Sequence, residues 1–332
     1  MNDIPMKKLV QDFPLQLQEA IIIGKNYRFI AEGKEFNNVL VTGLGGSGIG
    51  GSIVQNYVFD KLKVPFSVNK DYSLPAYINK HSLVIVCSYS GNTEETLMAM
   101  KEAMKRKATI VCVTSGGTVA DIATKKKFDC ILVPAGMPPR SCLGYSLVQL
   151  LYILGHFNLI NNSFEGEIKK AIKTMKDNES DTQKKALAIA KKINGKLPVI
   201  YSAGHFEGVA TRFRQQINEN SKVLGWNAVI PEMNHNELVG WRHKSEDKAV
   251  ILLRSKDDFD RVQTRMEINK KIIKKYTSTI VEITTDAKSY WEQAFYLIHL
   301  TDWISVQLAE INNTDSTEVK VIDFLKNSLA KV

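Results

Sequence analysis

The sequence predicts an α/β protein composed of two doubly wound parallel-sheet domains, each an αβα sandwich. Short apolar segments rich in Val, Ile and Leu recur along the chain and alternate with stretches of helical character. Such segments are typical of a parallel sheet that helices cover on both faces. The length of 332 residues exceeds the usual size of one domain, so we expect two.

Residues 1–155 contain five of these apolar segments and are predicted to form the first domain. In chain order the segments are NVLVTG, VPFSVN, LVIVCSYS, ATIVCVTS and CILVPAG. A strongly apolar stretch, SLVQLLYILGHF, follows them as a predicted helix. The polar composition of residues 156–195 then indicates exposed helices that connect the two halves.

Residues 196–332 repeat the alternation and are predicted to form the second domain. Its apolar segments are LPVIYSAG, NAVIPEMN, AVILLRS and TIVEITT, and a fifth strand is not legible. The long segment SYWEQAFYLIHLTDWISVQLAEI predicts a buried helix, and TEVKVIDFLKNSLAKV predicts an amphipathic closing helix. The two halves share an order of elements rather than a strict sequence repeat.

The composition excludes several classes of protein. With 44% hydrophobic and 24% charged residues, the chain matches an ordinary folded protein rather than a disordered or fibrous one. Its four cysteines lack the spacing of a zinc site, and we expect reduced thiols, three of them in the core. No apolar run reaches the ~20 residues that span a bilayer and no signal peptide is evident, so we expect a cytoplasmic protein without membrane contact.

The formal net charge of +9 is compatible with a nucleic-acid surface or with an anionic small substrate. Lysines occur in short scattered clusters, without the interleaved aromatic residues that single-strand binding uses. We therefore expect no nucleic-acid partner. Attraction of a phosphorylated substrate explains the charge better.

A glycine-rich loop, GLGGSGIGGS, follows the first predicted strand and opens a helix. Its glycines let the backbone of Gly45, Gly46 and Ser47 pass close to a ligand at the carboxyl edge of the sheet. A dinucleotide site is one alternative, but no acidic residue closes the second strand and the Walker lysine is missing. Asp71 lies near enough to that strand to keep this alternative open.

A second polar loop, SYSGNTEET, follows the predicted strand LVIVC and leads into a helix. The free amides and positive dipole end of a helix start favour a phosphate, and Ser88, Ser90 and Thr93 can each donate a further hydrogen bond. The alternative is simple helix capping by Ser90 or Thr93. Three hydroxyls exceed what one cap needs, so we predict a phosphate site.

The two loops together resemble the sugar isomerase domain, whose serine and threonine loop holds the phosphate of a phosphosugar. Three further segments narrow the resemblance to the bifunctional phosphoglucose/phosphomannose isomerases, over nearly the whole chain. They are PEMNHNELVGW, MPPRSCLGYSL and RFRQQINENSK. The resemblance implies two fused sugar isomerase domains, no cofactor, no metal, and an enzyme of glycolysis and gluconeogenesis that moves a proton through a cis-enediolate.

Four catalytic residues are implied by matching this family. Aldose–ketose isomerisation needs a base, a cation near the enediolate and a pair of groups that open the sugar ring. Glu219 matches the family's base, although its position off the apolar stripe of its helix would by itself indicate a solvated face. Arg140, which follows two prolines at the carboxyl end of a strand, matches the cation.

The ring-opening groups are implied to be His235 and Lys326. His235 follows the strand NAVIPEM, and its family counterpart belongs to the site of the neighbouring subunit, so we expect a homodimer. The alignment of DFLKNSL with the family's closing helix selects Lys326 among the last lysines. By residue type alone, a loop histidine or a terminal lysine is more often an ordinary surface residue.

Other functions remain open at this point. One alternative is a non-catalytic regulator that binds a sugar phosphate. Such a regulator would keep the phosphate loop, but it would have no physical reason to hold the four catalytic residues together. A further alternative is the isomerase half of an amide-transferring aminosugar enzyme. In such an enzyme a glutaminase domain usually precedes the isomerase half, so we favour this alternative less than the isomerase. A nicotinamide-dependent oxidoreductase is the remaining alternative.

Overall fold

The computed structural model describes residues 4–32, 34–329 and 331 of the chain. Within these residues nine strands form two sheets, and every strand pair in both sheets is parallel. The first sheet contains β1 (Asn38–Thr42), β2 (Phe66–Asn69), β3 (Ser82–Cys87), β4 (Thr109–Thr114) and β5 (Asp129–Leu132). The second contains β6 (Leu197–Ala203), β7 (Trp226–Ile230), β8 (Lys248–Ser255) and β9 (Ile280–Thr285). The prediction of two parallel α/β sheets is confirmed.

Twelve α-helices occur in the described residues. Those of the first half are α1 (Met6–Gln11), α2 (Phe13–Asn26), α3 (Gly45–Val58), α4 (Glu94–Lys105), α5 (Gly117–Lys126) and α6 (Leu143–His156). The remaining six are α7 (Phe164–Asp177), α8 (Glu179–Ile193), α9 (Glu207–Gln216), α10 (Asp260–Ile273), α11 (Tyr290–Ile311) and α12 (Lys320–Leu329). None of these helices combines the length and apolar character needed to cross a bilayer.

The strand order places a switch point in each sheet. The first sheet runs β2-β1-β3-β4-β5, so the order reverses between β1 and β3. The second runs β7-β6-β8-β9 and reverses between β6 and β8. Ligands of open α/β sheets bind in the crevice at the carboxyl ends of such strands. The glycine and serine loops follow β1 and β3 and therefore share the first of these crevices.

Helix α11 packs on the connecting helices and on the second half, and the two halves meet where α3 packs on α9 and α1 packs on α11. Helix α11 packs against α7, α8 and α9, and Trp291, Phe295 and Trp303 lie fully inside the core. Helices α7 and α8 were expected to be exposed, but each buries one apolar face in the same core. Burial of large aromatic side chains supplies much of the hydrophobic stabilisation here, at about 25 cal/mol per Å².

The cysteines and the closing helix complete the architecture. All four cysteines are free thiols, and Cys87, Cys112 and Cys142 are buried while Cys130 is half-buried, as expected. Helix α12 forms as predicted and is amphipathic. None of its described residues is buried, so its apolar face is open to solvent in the single chain.

Candidate active site

Two helix starts converge at the crevice between β1 and β3. Helix α3 begins at Gly45 directly after β1, and α4 begins at Glu94 after β3. The two loops contact each other because the Tyr89 amide donates to Ser47 Oγ over 3.0 Å. The start of a helix favours an anion, and two helices start at this crevice.

The hydroxyls of the serine loop do not cap α4. Thr93 is the N-cap residue, yet its side chain makes no hydrogen bond with the first turn of the helix. Instead Ser88 Oγ donates to Thr93 Oγ1 over 3.1 Å, and Ser90 Oγ accepts from the Asn92 amide over 3.3 Å. Capping alone therefore does not account for these hydroxyls, and the first-turn amides of α4 have no side-chain cap.

Gly46 brings Arg140 onto the glycine loop. A Cβ atom added at Gly46 would lie 2.7 Å from the Pro139 carbonyl oxygen and 2.9 Å from the Arg140 amide nitrogen. A side chain there would push away the 3₁₀ turn of Pro139–Ser141. The absence of a side chain at Gly46 thus sets the distance between the glycine loop and Arg140.

The guanidinium of Arg140 is buried, with 4% of the side chain exposed, and lies against four residues of the second half. Nε donates to Asn220 Oδ1 over 2.7 Å, and Nη1 lies 3.5 Å from Glu219 Oε2. Nη2 donates to the backbone carbonyls of Ser316 at 2.6 Å and Thr317 at 2.9 Å. Burial lowers the pKa of Arg140 from its usual value and the Glu219 carboxylate opposes that shift, so the group stays cationic at neutral pH.

Glu219 lies in a π-helical turn, Ile217–Ser221, that continues α9. Such turns are rare and occur often at functional sites, because the extra residue redirects side chains. The Glu219 side chain is 28% exposed, which leaves the carboxylate accessible from the crevice. The arrangement therefore offers a carboxylate base beside a fixed cation.

The expectation of a solvated helix face around Glu219 is wrong. Arg212 and Gln216 lie on that side of α9 and are only 3% and 2% exposed. Both bind Asp302 of α11: Arg212 Nη2 donates to Oδ2 over 2.6 Å and Gln216 Nε2 donates to Oδ1 over 3.0 Å. Arg212 Nη1 also donates to the Arg140 carbonyl over 3.1 Å. A second buried face of α9 thus holds the backbone of Arg140.

His235 and Lys326 are not brought to this cluster within one chain. His235 ends the 3₁₀ turn of Glu232–His235 and is exposed. Its loop is held by Glu237, which accepts from Trp226 Nε1 over 2.8 Å and from the Tyr201 hydroxyl. Lys326 is exposed on α12. Among the described residues, neither forms a hydrogen bond or ion pair with Arg140 or Glu219.

Sequence reasoning missed Asn220 and Ser316 among the partners of Arg140. Asn220, adjacent to the proposed base, also donates Nδ2 to Ser305 Oγ over 2.9 Å and is fully buried. The segment that contains Ser316 and Thr317 precedes α12 and carries no motif that marks it. The only signal was the hydroxyl and acidic run DSTE before the closing helix.

Comparisons with known proteins identify the class of this fold and site. Residues 34–143 match the SIS domain, and residues 182–329 match the bacterial phospho-glucose isomerase C-terminal SIS domain. The C-terminal domain of glucosamine-fructose-6-phosphate aminotransferase from Francisella tularensis superimposes with a TM-score of 0.75, at 13% identity, over 96% of this chain and 98% of that one. At such identity the likeness shows the fold alone. The protein is therefore a double SIS-domain protein.

Sequence relatives define the family within this class. A bifunctional phosphoglucose/phosphomannose isomerase of Caldicellulosiruptor bescii is 39% identical over 98% of this chain and 99% of its own length. Another protein of that name from Aquifex aeolicus is 36% identical over 89% of this chain and 91% of its own length. This chain belongs to the family of bifunctional phosphoglucose/phosphomannose isomerases.

Proposed function

We propose that this protein interconverts glucose 6-phosphate and fructose 6-phosphate, and mannose 6-phosphate as well. Membership of the family sets the reaction class, and one geometric observation supports its location. The Glu219 carboxylate lies 3.5 Å from the Arg140 guanidinium. The same arginine lies in the turn that packs on the glycine loop at Gly46. A base, a cation and an anion-binding crevice are therefore adjacent.

The phosphate of the substrate is proposed to bind between the two loops. Gly45, Gly46 and Ser47 form the first turn of α3, and the amides of a helix start favour an anion. Hydroxyls from Ser88, Ser90 and Thr93 come from the other loop, and no cap consumes them. Charge-assisted hydrogen bonds from amides and hydroxyls to a phosphate are short and strong, so this loop pair fixes one end of the sugar.

Glu219 is proposed to move the proton. Its carboxylate takes the C2 proton of the open-chain aldose, which leaves an enediolate with negative charge on oxygen, and returns the proton to C1 to give the ketose. Arg140 is held by Asn220 and by two carbonyls, so its charge is oriented before the substrate arrives. A preoriented cation stabilises the enediolate with no reorganisation. After rotation about the C2–C3 bond, the same carboxylate serves the mannose epimer.

Ring opening is proposed to use His235 of a second subunit and Lys326. Both side chains are exposed in the single chain, as groups that complete a site across an interface would be. The exposed apolar face of α12, with Phe324 73% and Val321 82% exposed, also favours a partner surface. The expected assembly is a homodimer, which would have two shared sites.

One assay tests the function directly. Purified protein is supplied with fructose 6-phosphate, and glucose 6-phosphate and mannose 6-phosphate are quantified separately over time. Formation of both aldoses supports the dual isomerase. Formation of only one refutes the second activity. Binding of fructose 6-phosphate without any turnover would support the non-catalytic regulator instead.

A further inference from the structure

Two cations bind every backbone carbonyl of one short segment beside the site. The segment is Asp315–Glu318, which connects α11 with α12. Arg140 Nη2 donates hydrogen bonds to the carbonyls of the two central residues, Ser316 at 2.6 Å and Thr317 at 2.9 Å. Lys222 Nζ donates hydrogen bonds to the carbonyls of Asp315 and Glu318, both at 2.8 Å. Four consecutive carbonyls thus depend on side chains that flank Glu219.

Lys222 is placed for this role by the end of the π-helical turn. It is the C-cap residue and adopts a left-handed conformation, with φ 55° and ψ 33°. That conformation turns the chain and sends the ammonium back over the turn, where Nζ also donates to the Glu219 carbonyl over 2.7 Å. An ammonium with three donors thereby satisfies three carbonyls, one of them on the proposed base.

The charges around Lys222 support a specific contact rather than a solvated lysine. Its side chain is 29% exposed, and the Glu318 carboxylate lies 3.7 Å from Nζ. Burial lowers the pKa of Lys222 from its usual value, and the nearby Glu318 carboxylate opposes this shift. A partly desolvated ammonium binds carbonyls more strongly than one in bulk water.

Helix α12 has few other means of attachment. It begins at Lys320, two residues after Glu318, and none of its described residues is buried in the chain. The contacts of the Asp315–Glu318 segment therefore determine where α12 leaves the body of the protein. A helix held by its first residues alone follows any movement of that segment.

We propose that Lys222 is a positioning residue for the isomerase reaction, because it fastens the Asp315–Glu318 segment, and with it α12, to the turn that carries Glu219. The proposal rests on the proposed function of the site. Without the ammonium, the carbonyls of the segment keep two hydrogen bonds within the described part of the chain, both from Arg140, and that arginine loses a fixed partner surface. Misplacement of catalytic groups by about 1 Å can cost on the order of 100-fold in rate.

The first test measures attachment without using activity. Hydrogen–deuterium exchange of peptides that cover residues 312–329 is compared in wild type, Lys222→Met and Lys127→Met. Lys127 is a matched control because it is also a left-handed C-cap lysine, at φ 56° and ψ 41°, and its ammonium has no partner among the described residues. We expect about tenfold faster exchange in Lys222→Met alone. Equal exchange in all three proteins would overturn the proposal.

The second test measures the reaction. Lys222→Met should lower kcat about 10- to 100-fold with KM nearly unchanged, since the phosphate loops lie on the other domain. Lys222→Cys treated with bromoethylamine regains an ammonium at the same reach and should recover kcat, with treated wild type as control. An unchanged kcat in Lys222→Met, or no recovery after alkylation, would contradict positioning. If wild type turns over no hexose phosphate, the proposed function fails. The hydrogen–deuterium exchange result still shows whether Lys222 attaches the Asp315–Glu318 segment.

Discussion

Replacing Glu219 with glutamine removes the proposed base and little else. The amide keeps the size of the carboxylate and its contact with Arg140, 3.5 Å away. Arg140 keeps its hydrogen bonds to Asn220, Ser316 and Thr317 in this variant, so the arginine stays in place although it loses an ionic partner. General base catalysis contributes on the order of 10²- to 10⁴-fold, which corresponds to roughly 3 to 5 kcal/mol of activation free energy. Glucose and mannose activities should fall together by that factor, with KM little changed.

The assay follows deuterium exchange from solvent into C2 of glucose 6-phosphate by nuclear magnetic resonance. This exchange reports proton abstraction even when ring opening or product release limits turnover. Glu232→Gln is the matched control, since Glu232 is an exposed carboxylate on the turn that carries His235. Exchange at the wild-type rate in Glu219→Gln, or loss of exchange in Glu232→Gln, would show that the base has been misassigned.

Three further outcomes are expected. The double variant Ser90→Ala, Thr93→Ala should raise KM about tenfold or more with a smaller change in kcat, because two phosphate donors are lost; an unchanged KM would refute phosphate binding there. Prolonged treatment with EDTA should leave activity intact, since a carboxylate and an arginine perform the proposed steps; loss that zinc restores would contradict this mechanism. Burial raises the pKa of the Asp258 carboxyl to about 6 from 3.8. The folded state is therefore destabilised by the ionised carboxylate above pH 6, and this destabilisation disappears as the pH falls towards 4. Asp258→Asn should therefore raise the free energy of unfolding in urea by up to roughly 3 kcal/mol at pH 8 and by nothing at pH 4, and a gain independent of pH would disprove this account.

The strands and the two loops at the first crevice follow from local sequence. An apolar run such as VLV in β1 can be satisfied only inside a sheet covered on both faces, and the structure buries all of it. A run of glycines after such a strand likewise has one common use, a close backbone turn at the carboxyl edge. Resemblance to a family added roles for Arg140 and Glu219 that no periodicity contains.

The surroundings of Glu219 show where local patterns fail. The apolar stripe of α9 correctly predicted one buried face. It could not predict that Arg212 is also buried, because its partner, Asp302, lies 90 residues later in a different helix. A charged residue looks solvated in a helical pattern unless the element that pairs with it is known.

The sequence by itself therefore determined the two parallel sheets, the two polar loops at the first switch point and the family. These features depend on segments in which neighbours along the chain supply the physical cause: apolar runs, glycines and hydroxyls at helix starts. Only the tertiary structure decided that Arg140 meets Glu219, 79 residues away, and the carbonyl of Thr317, 177 residues away. Such contacts exist because the two domains pack together, α3 against α9 and α1 against α11, and the position of one domain against the other is not encoded in any short segment.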